Sequence, residues 1–231
     1  MVVASPFVSL GEMLVQIYEI QTPEEALALA QLGVDHIGVL VGDGAFPREL
    51  SIGQTNAIFA TVPAGKKRVA LSLSTDLEGI ARVVQETRPD IIQVQAAVED
   101  FSVAMTRALK TQFPKILIMR AIPIIDEASI EVASSYQGVA DFLLLDSWDS
   151  ATRQFGALGR IHDWTLSRRI VDDVSVPAIL AGGLGPENVA AAIAAVRPAG
   201  VDSKTRTDRL DGTGKDLAKV AAFVAAAKLT R

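Results

Sequence analysis

From residue 14 onward the chain alternates short, almost wholly apolar runs with longer stretches in which apolar residues recur every three or four positions. Runs of the first kind suit strands buried on both faces, and stretches of the second suit helices with one buried stripe. Leu14 to Tyr18 reads as the first strand. Thr22 then caps a helix, with Pro23 at its first position, Glu24 and Glu25 at its positive end, Ala26 to Leu32 burying one face and Gly33 ending it. Val34 to Val41 is a second strand, followed by a Gly42-Asp43-Gly44 loop that reaches Arg48. Strand and helix pairs follow at Arg68 to Leu73 and Asp76 to Thr87, at Asp90 to Gln95 and Glu99 to Thr111, and at Lys115 to Ala121 and Asp126 to Ser135. Asp141 to Leu145 is the sixth strand, and a long loop from Asp146 to Ile161 separates it from a helix capped by Asp163 and running through Val171. The run from Val176 stops at Gly182-Gly183 ahead of a Pro186-Glu187-Asn188 helix start and supplies the seventh unit; Ala199 to Asp202, with a helix over Lys215 to Lys228, makes the eighth. Eight alternations predict an α/β fold, a closed parallel (βα)8 TIM barrel forming one domain over residues 1–231. Residues 1–12 lack periodicity and are expected either to pack across the barrel bottom or to stay loose.

Composition narrows the chemistry. A chain of 231 residues that is 49% hydrophobic can build one sizeable core. The net charge of -5, with lysines and arginines dispersed, argues against nucleic acid as the main partner. Zero cysteines remove disulfides, thiolate nucleophiles and thiolate metal sites, and two histidines make a histidine-rich metal site a poor expectation. No apolar run approaches the length that crosses a bilayer, and the N-terminus lacks a basic stretch leading into an apolar one. The expectation is a soluble cytoplasmic protein that needs no metal and no membrane.

In a barrel the residues just after each strand converge on one face. That places Tyr18, Glu19, the Gly42 to Arg48 loop, Gln95, Arg120, Asp146, Gly182, Gly183 and Ser203 to Arg206 around one site. Gly182 and Gly183 lack a Cβ, so an anion can approach their amides, and the helix start after Pro186 points a positive end the same way. Ser203, Lys204, Thr205 and Arg206 add donors and positive charge at the next strand end. Two consecutive strand ends able to share one phosphate are the pattern of the last two units of a barrel; a plain turn and a solvated basic loop balanced by Asp208 and Asp211 are the competing readings. Arg120 either faces the site or pairs within the barrel layers. His162 beside Asp163 reads as a packed or exposed histidine next to a helix cap, and Asp35-His36 falls at the opposite end of the barrel. Asp211-Gly-Thr-Gly-Lys215 is too short for a nucleotide P-loop and reads as a turn.

Val15-Gln-Ile-Tyr-Glu-Ile-Gln-Thr-Pro-Glu-Glu-Ala26, Leu32-Gly-Val-Asp-His-Ile-Gly38, Leu143-Leu-Leu-Asp-Ser147, Asp163-Trp164, Leu180-Ala-Gly-Gly-Leu-Gly-Pro-Glu-Asn-Val189 and Val201-Asp202, in that order, resemble phosphoribosylanthranilate isomerase. The Ala-Gly-Gly-Leu-x-Pro-Glu-Asn-Val piece is the most specific. The resemblance implies an Amadori rearrangement of a phosphorylated sugar amine, needing one general acid, one general base, a held phosphate and no cofactor. It implies that Asp146, closing the sixth strand, is the acid, its pKa raised by apolar surroundings. It implies that Arg48 receives the substrate carboxylate, with Tyr18, Gln95 and Arg120 on the substrate wall and Gly182, Gly183, Ser203, Lys204, Thr205 and Arg206 at the phosphate.

Two departures stand out. The family's base, a cysteine followed by glycine at the end of the first strand, is replaced here by Tyr18 and Glu19; a tyrosine with an ordinary pKa near 10 is a poor base, so Glu19 either takes the role or is a solvated loop residue. The eighth loop carries Lys204 and Arg206 where the family has small residues. The resemblance therefore leaves three functions: the family isomerase, a related barrel enzyme on another phosphosugar, or a silent phosphometabolite-binding barrel, each as monomer or homodimer.

Overall fold

A computed structural model describes residues 12–149, 154–156 and 158–230. Its elements run β1 (Leu14–Ile17), α1 (Pro23–Gln31), β2 (His36–Leu40), α2 (Ile52–Phe59), β3 (Lys67–Ser72), α3 (Leu77–Thr87), β4 (Ile91–Val94), α4 (Val103–Gln112), β5 (Leu117–Ile124), α5 (Ala128–Ser135), β6 (Phe142–Asp149), β7 (Gln154–Phe155), α6 (Trp164–Asp173), β8 (Ala178–Leu180), α7 (Val189–Val196), β9 (Gly200–Ser203) and α8 (Leu217–Leu229). Eight of the strands pair in parallel in the order β5, β4, β3, β2, β1, β9, β8, β6, and β6 returns to β5 to close the barrel. The ninth, β7, is the return arm of an antiparallel hairpin in which Trp148 faces Phe155 and Asp149 faces Gln154. The fold is the expected single-domain (βα)8 barrel. The expectation for residues 1–12 falls almost wholly outside the described residues.

Local sequence explains where the helices start. Thr22, Asp76, Ser102, Asp163 and Asp216 each present a side-chain oxygen to a backbone N–H of the first turn, satisfying donors that a helix start leaves open. Ser51 and Gln54 form a reciprocal capping box that opens α2, a helix that the sequence pattern does not predict. The long loop after the sixth strand was expected to begin at Asp146; instead β6 continues to Asp149 and folds back through β7. Among the described residues, no helix is long and apolar enough to cross a membrane.

Strand alternation divides the apolar residues into two sets. Val15, Ile17, Ile37, Val39, Ile92, Val94, Leu143 and Leu145 pack outward against the helices. Tyr18, Val69, Ile91, Met119, Ala121, Phe142, Leu144 and Ile179 fill the barrel interior. Parity then fixes the polar residues as well, since side chains two apart on a strand share a face. Gln16 lies with Tyr18, Gln93 with Ile91, and Asp146 with Leu144, so the interior carries polar groups from floor to mouth. Gly38 makes room for one of them: any side chain there would fall on the Tyr18 ring.

Candidate active site

The C-terminal ends of the strands open on a cavity of about 750 Å³. Its wall includes Tyr18, Glu19, Gln95, Asp146, Gly182, Gly183, Ser203, Lys204, Thr205 and Arg206, together with Asp202, which the sequence reading passed over as the end of a strand. Asp146 is buried at the end of the interior face of β6. Burial pushes its carboxyl up to about 6, against the pull of the Ser147 backbone and hydroxyl donors and of the Gln95 amide; the Ser147 N–H donates to Oδ1 at 2.7 Å. Asp202 is buried on β9, pushed up to about 8 first by burial and then by the charge of Asp146, with a donor from Gln16 acting the other way. Its Oδ1 has no hydrogen-bond partner. With Asp146 at about 6 and Asp202, raised further by the Asp146 charge, at about 8, the two carboxyls hold one proton between them at neutral pH, on Asp202. The signal that could have found Asp202 is parity: it stands two residues beyond Gly200, facing inward at the mouth.

Tyr18 lies on the cavity floor, 4% exposed, its ring among the interior apolar residues. Its hydroxyl donates to Gln93 Oε1 at 2.5 Å. Burial, then the nearby Asp202, raises its pKa well above the ordinary value, so it cannot serve as a base at neutral pH. Glu19 follows with φ of 61°, a left-handed backbone that non-glycine residues seldom adopt. Its Oε2 lies 3.3 Å from Arg48 Nε and 3.2 Å from Lys204 Nζ.

Arg48 is held by acidic and backbone partners. Its guanidinium donates to Asp208 Oδ2 at 2.9 Å and to the Glu19 carbonyl at 2.6 Å, and Asp208 in turn holds the fully buried Lys215 at 2.6 Å. These five charged residues tie together the loops after β1, β2 and β9. Strand register decides between the two positions open to Arg120. Met119 and Ala121 point into the barrel, so Arg120 between them points out, fully buried, with its guanidinium on the carbonyls of Val94, Ala96, Phe101 and Ala121 and 5.3 Å above the Tyr136 ring. It braces the barrel against the helix layer and does not line the cavity.

At the other side of the mouth, Gly182 and Gly183 have φ of 81° and 63°. A Cβ on Gly183 would stand 2.7 Å from the Arg160 carbonyl carbon, and one on Gly182 would stand 2.8 Å from His162 Nδ1. Part of the close approach that the glycines allow is thus taken by the 159–162 backbone and the His162 ring, while the rest faces the cavity. The Ser203 hydroxyl donates to the Leu184 carbonyl at 2.7 Å, and Asn188 holds Gly183 and Gly185, so the loops after β8 and β9 are fixed to each other. Arg206 lines the mouth from the η turn at Thr205–Thr207 and pairs with Glu187. His162 donates or accepts at Ser167 Oγ, 2.7 Å away, and Asp163 caps α6.

The chain and its barrel are similar to proteins of known activity. A family model described as N-(5'-phosphoribosyl)anthranilate (PRA) isomerase matches residues 15–226. A Methanocella arvoryzae N-(5'-phosphoribosyl)anthranilate isomerase is 35% identical over 211 residues, covering 91% of this chain and 95% of the relative; the Methanosarcina mazei N-(5'-phosphoribosyl)anthranilate isomerase 2 is 34% identical, covering 94% of each. Among solved structures, the Thermotoga maritima phosphoribosyl anthranilate isomerase superposes with a TM-score of 0.80 at 25% identity over 94% of this chain and 98% of its own. Another, in complex with reduced 1-(o-carboxyphenylamino)-1-deoxyribulose 5-phosphate, gives 0.78 at 25% identity, covering 94% of this chain and 98% of its own. By its near full-length sequence match and its barrel, this chain belongs to the N-(5'-phosphoribosyl)anthranilate isomerase family.

Proposed function

We propose that the protein isomerises N-(5'-phosphoribosyl)anthranilate to its 1-amino-1-deoxyketose, using the Asp146 and Asp202 carboxyls as its acid and base. The observation that carries this is the pair itself, two buried carboxyls on one cavity wall, raised to about 6 and about 8 and coupled by charge. Asp146 donates its proton to the ring oxygen; the C1–O bond opens and the nitrogen lone pair forms a C1=N bond. Asp202 then takes the proton from C2, leaving an enolamine that becomes the ketone as C1 gains a proton and the C2 hydroxyl loses one. Protons only are exchanged, so no redox cofactor is required.

In the free cavity the proton rests on Asp202. Placing it on Asp146 costs roughly 3 kcal/mol for a gap of about two pH units, a modest part of an enzymatic barrier. Tyr18 keeps its proton at neutral pH and so offers no basic phenolate, and Glu19 is already paired with Arg48 and Lys204. Gly182, Gly183, Ser203, Thr205, Lys204 and Arg206 hold the phosphate, and the apolar wall of Phe46, Leu73 and Trp148 receives the aromatic ring. We place this activity in the cytoplasm, in a monomer or homodimer; the dispersed charge and the lack of a membrane-length helix among the described residues support that setting.

The test follows fluorescence of freshly generated phosphoribosylanthranilate. Wild type turns it over; Asp146→Asn and Asp202→Asn each lower kcat by roughly a hundredfold or more, while Glu19→Gln acts chiefly on KM. Absence of turnover by wild type overturns the reading, and a Glu19→Gln loss as deep as that of Asp202→Asn moves the base to Glu19.

A further inference from the structure

A line of hydrogen bonds runs from the barrel floor to Asp146. The Tyr18 hydroxyl donates to Gln93 Oε1 at 2.5 Å, Gln93 Nε2 donates to Gln95 Oε1 at 2.7 Å, and the Gln95 side chain bonds to Asp146. Gly156 marks the last link from above, because a Cβ there would land on both Gln95 Nε2 and Asp146 Oδ2. Gln93 on β4 and Gln95 just beyond it sit two apart on the same face, both buried at the base of the cavity, 1% and 6% exposed.

We propose that Tyr18 and Gln93 are positioning residues which, through Gln95, hold Asp146 as a hydrogen-bond acceptor aimed into the cavity. The proposal rests on the assignment of Asp146 above. The physics is the polarity of the line. While Tyr18 donates, each amide presents its oxygen downward and its NH2 upward, and the line ends on a carboxylate that can only accept. Protonated Asp146 would favour the reverse polarity, donating to Gln95, with Gln93 Nε2 then directed at the Tyr18 oxygen. That arrangement strips the buried Tyr18 O–H of its acceptor, a loss that the apolar floor does not repair. The tyrosine therefore biases the far end of the line toward the ionised acid. The construction occurs a second time: neutral His36 bonds through Nδ1 to Gln16 Oε1 at 2.9 Å, and Gln16 bonds to Asp202.

Other charged and titratable groups on the cavity wall are Glu19 on the loop after β1, Asp100 before α4, Asp202 on β9, and Lys204 and Arg206 after it. Tyr18→Phe changes none of them, and it keeps the ring against Gly38. The experiment is a carbon-13 carboxyl titration of the free protein, beside the pH profile of kcat/KM on phosphoribosylanthranilate. In Tyr18→Phe, and likewise in Gln93→Met, the Asp146 midpoint rises by roughly half a pH unit or more, the Asp202 midpoint stays within a smaller margin, and the limb of the profile set by Asp146 shifts with it. An unmoved Asp146 midpoint in both folded variants overturns the relay, as does an equal shift at Asp202. Turnover by wild type with no shift removes the relay alone; a shift without turnover leaves the relay standing and removes the isomerase reading.

Discussion

Asp202→Asn should gain stability over wild type as pH rises, even as it loses activity. In the unfolded chain an aspartate ionises near 3.8, whereas in the barrel Asp202 keeps its proton up to about 8. Between those values the folded state binds more protons than the unfolded one, so wild-type stability falls as pH rises through the window and levels off above it. The sign follows from a folded pKa raised above the unfolded one. The slope for one proton is roughly 1.4 kcal/mol per pH unit, so between pH 5 and pH 7 wild type loses roughly 3 kcal/mol at this position that the asparagine does not. An unpaired buried amide adds a constant offset of about 1 to 3 kcal/mol against the variant, which leaves the slope untouched. Urea unfolding at pH 5, 6, 7 and 8 measures the stability difference between the two proteins at each pH; effects of titrating groups that do not interact with Asp202 cancel in that difference, while the coupled Asp146 adds a smaller change of its own. A difference that does not change with pH, or one that moves against the asparagine as pH rises, would refute a neutral, buried Asp202 and with it the carboxyl couple.

Arg120→Met should destabilise the fold by about 3 kcal/mol in chemical denaturation, because the carbonyls of Val94, Ala96 and Ala121 lose the buried Arg120 donor while Phe101 keeps the Tyr136 hydroxyl, while KM of the folded fraction is unchanged; a raised KM with intact stability would return Arg120 to the substrate. Gly156→Ala should disturb the seat of the hairpin over Asp146, since its φ is 74° and its Cβ would strike Gln95 and Asp146, lowering kcat with a stability cost of about 1 kcal/mol; an unaltered kcat would show that the hairpin adjusts freely. His36 is held near 4 by burial, below its ordinary 6.5. Its neutral ring contributes stability that is present above pH 6.5 and is lost as pH falls through about 4, roughly 3 kcal/mol in all; His36→Gln should flatten that acid limb, and an unchanged limb would place the acid sensitivity elsewhere.

Sequence by itself determined the barrel. Thr22, Asp76 and Asp163 start their helices through bonds to backbone within three residues, and two-sided burial of runs such as Leu143 to Leu145 makes them interior strands; both are short-range matters of capping and alternation, which a linear string carries in full. It also carried the positions of the strand ends, so that Tyr18, Glu19, Gln95, Asp146, Gly182 and Gly183 were brought to one cavity. What each side chain does there depended on parity and on partners far along the chain. Arg48 is bound by Asp208, 160 residues away; the register of β5 decides that Arg120, open to either face in the sequence, turns outward; and Asp202 is set near Asp146 and Gln16 by the closing of β9 on β1. Charge, burial and hydrogen bonding act through space over a few ångströms, and only the closed barrel brings strands that are distant in sequence within that range.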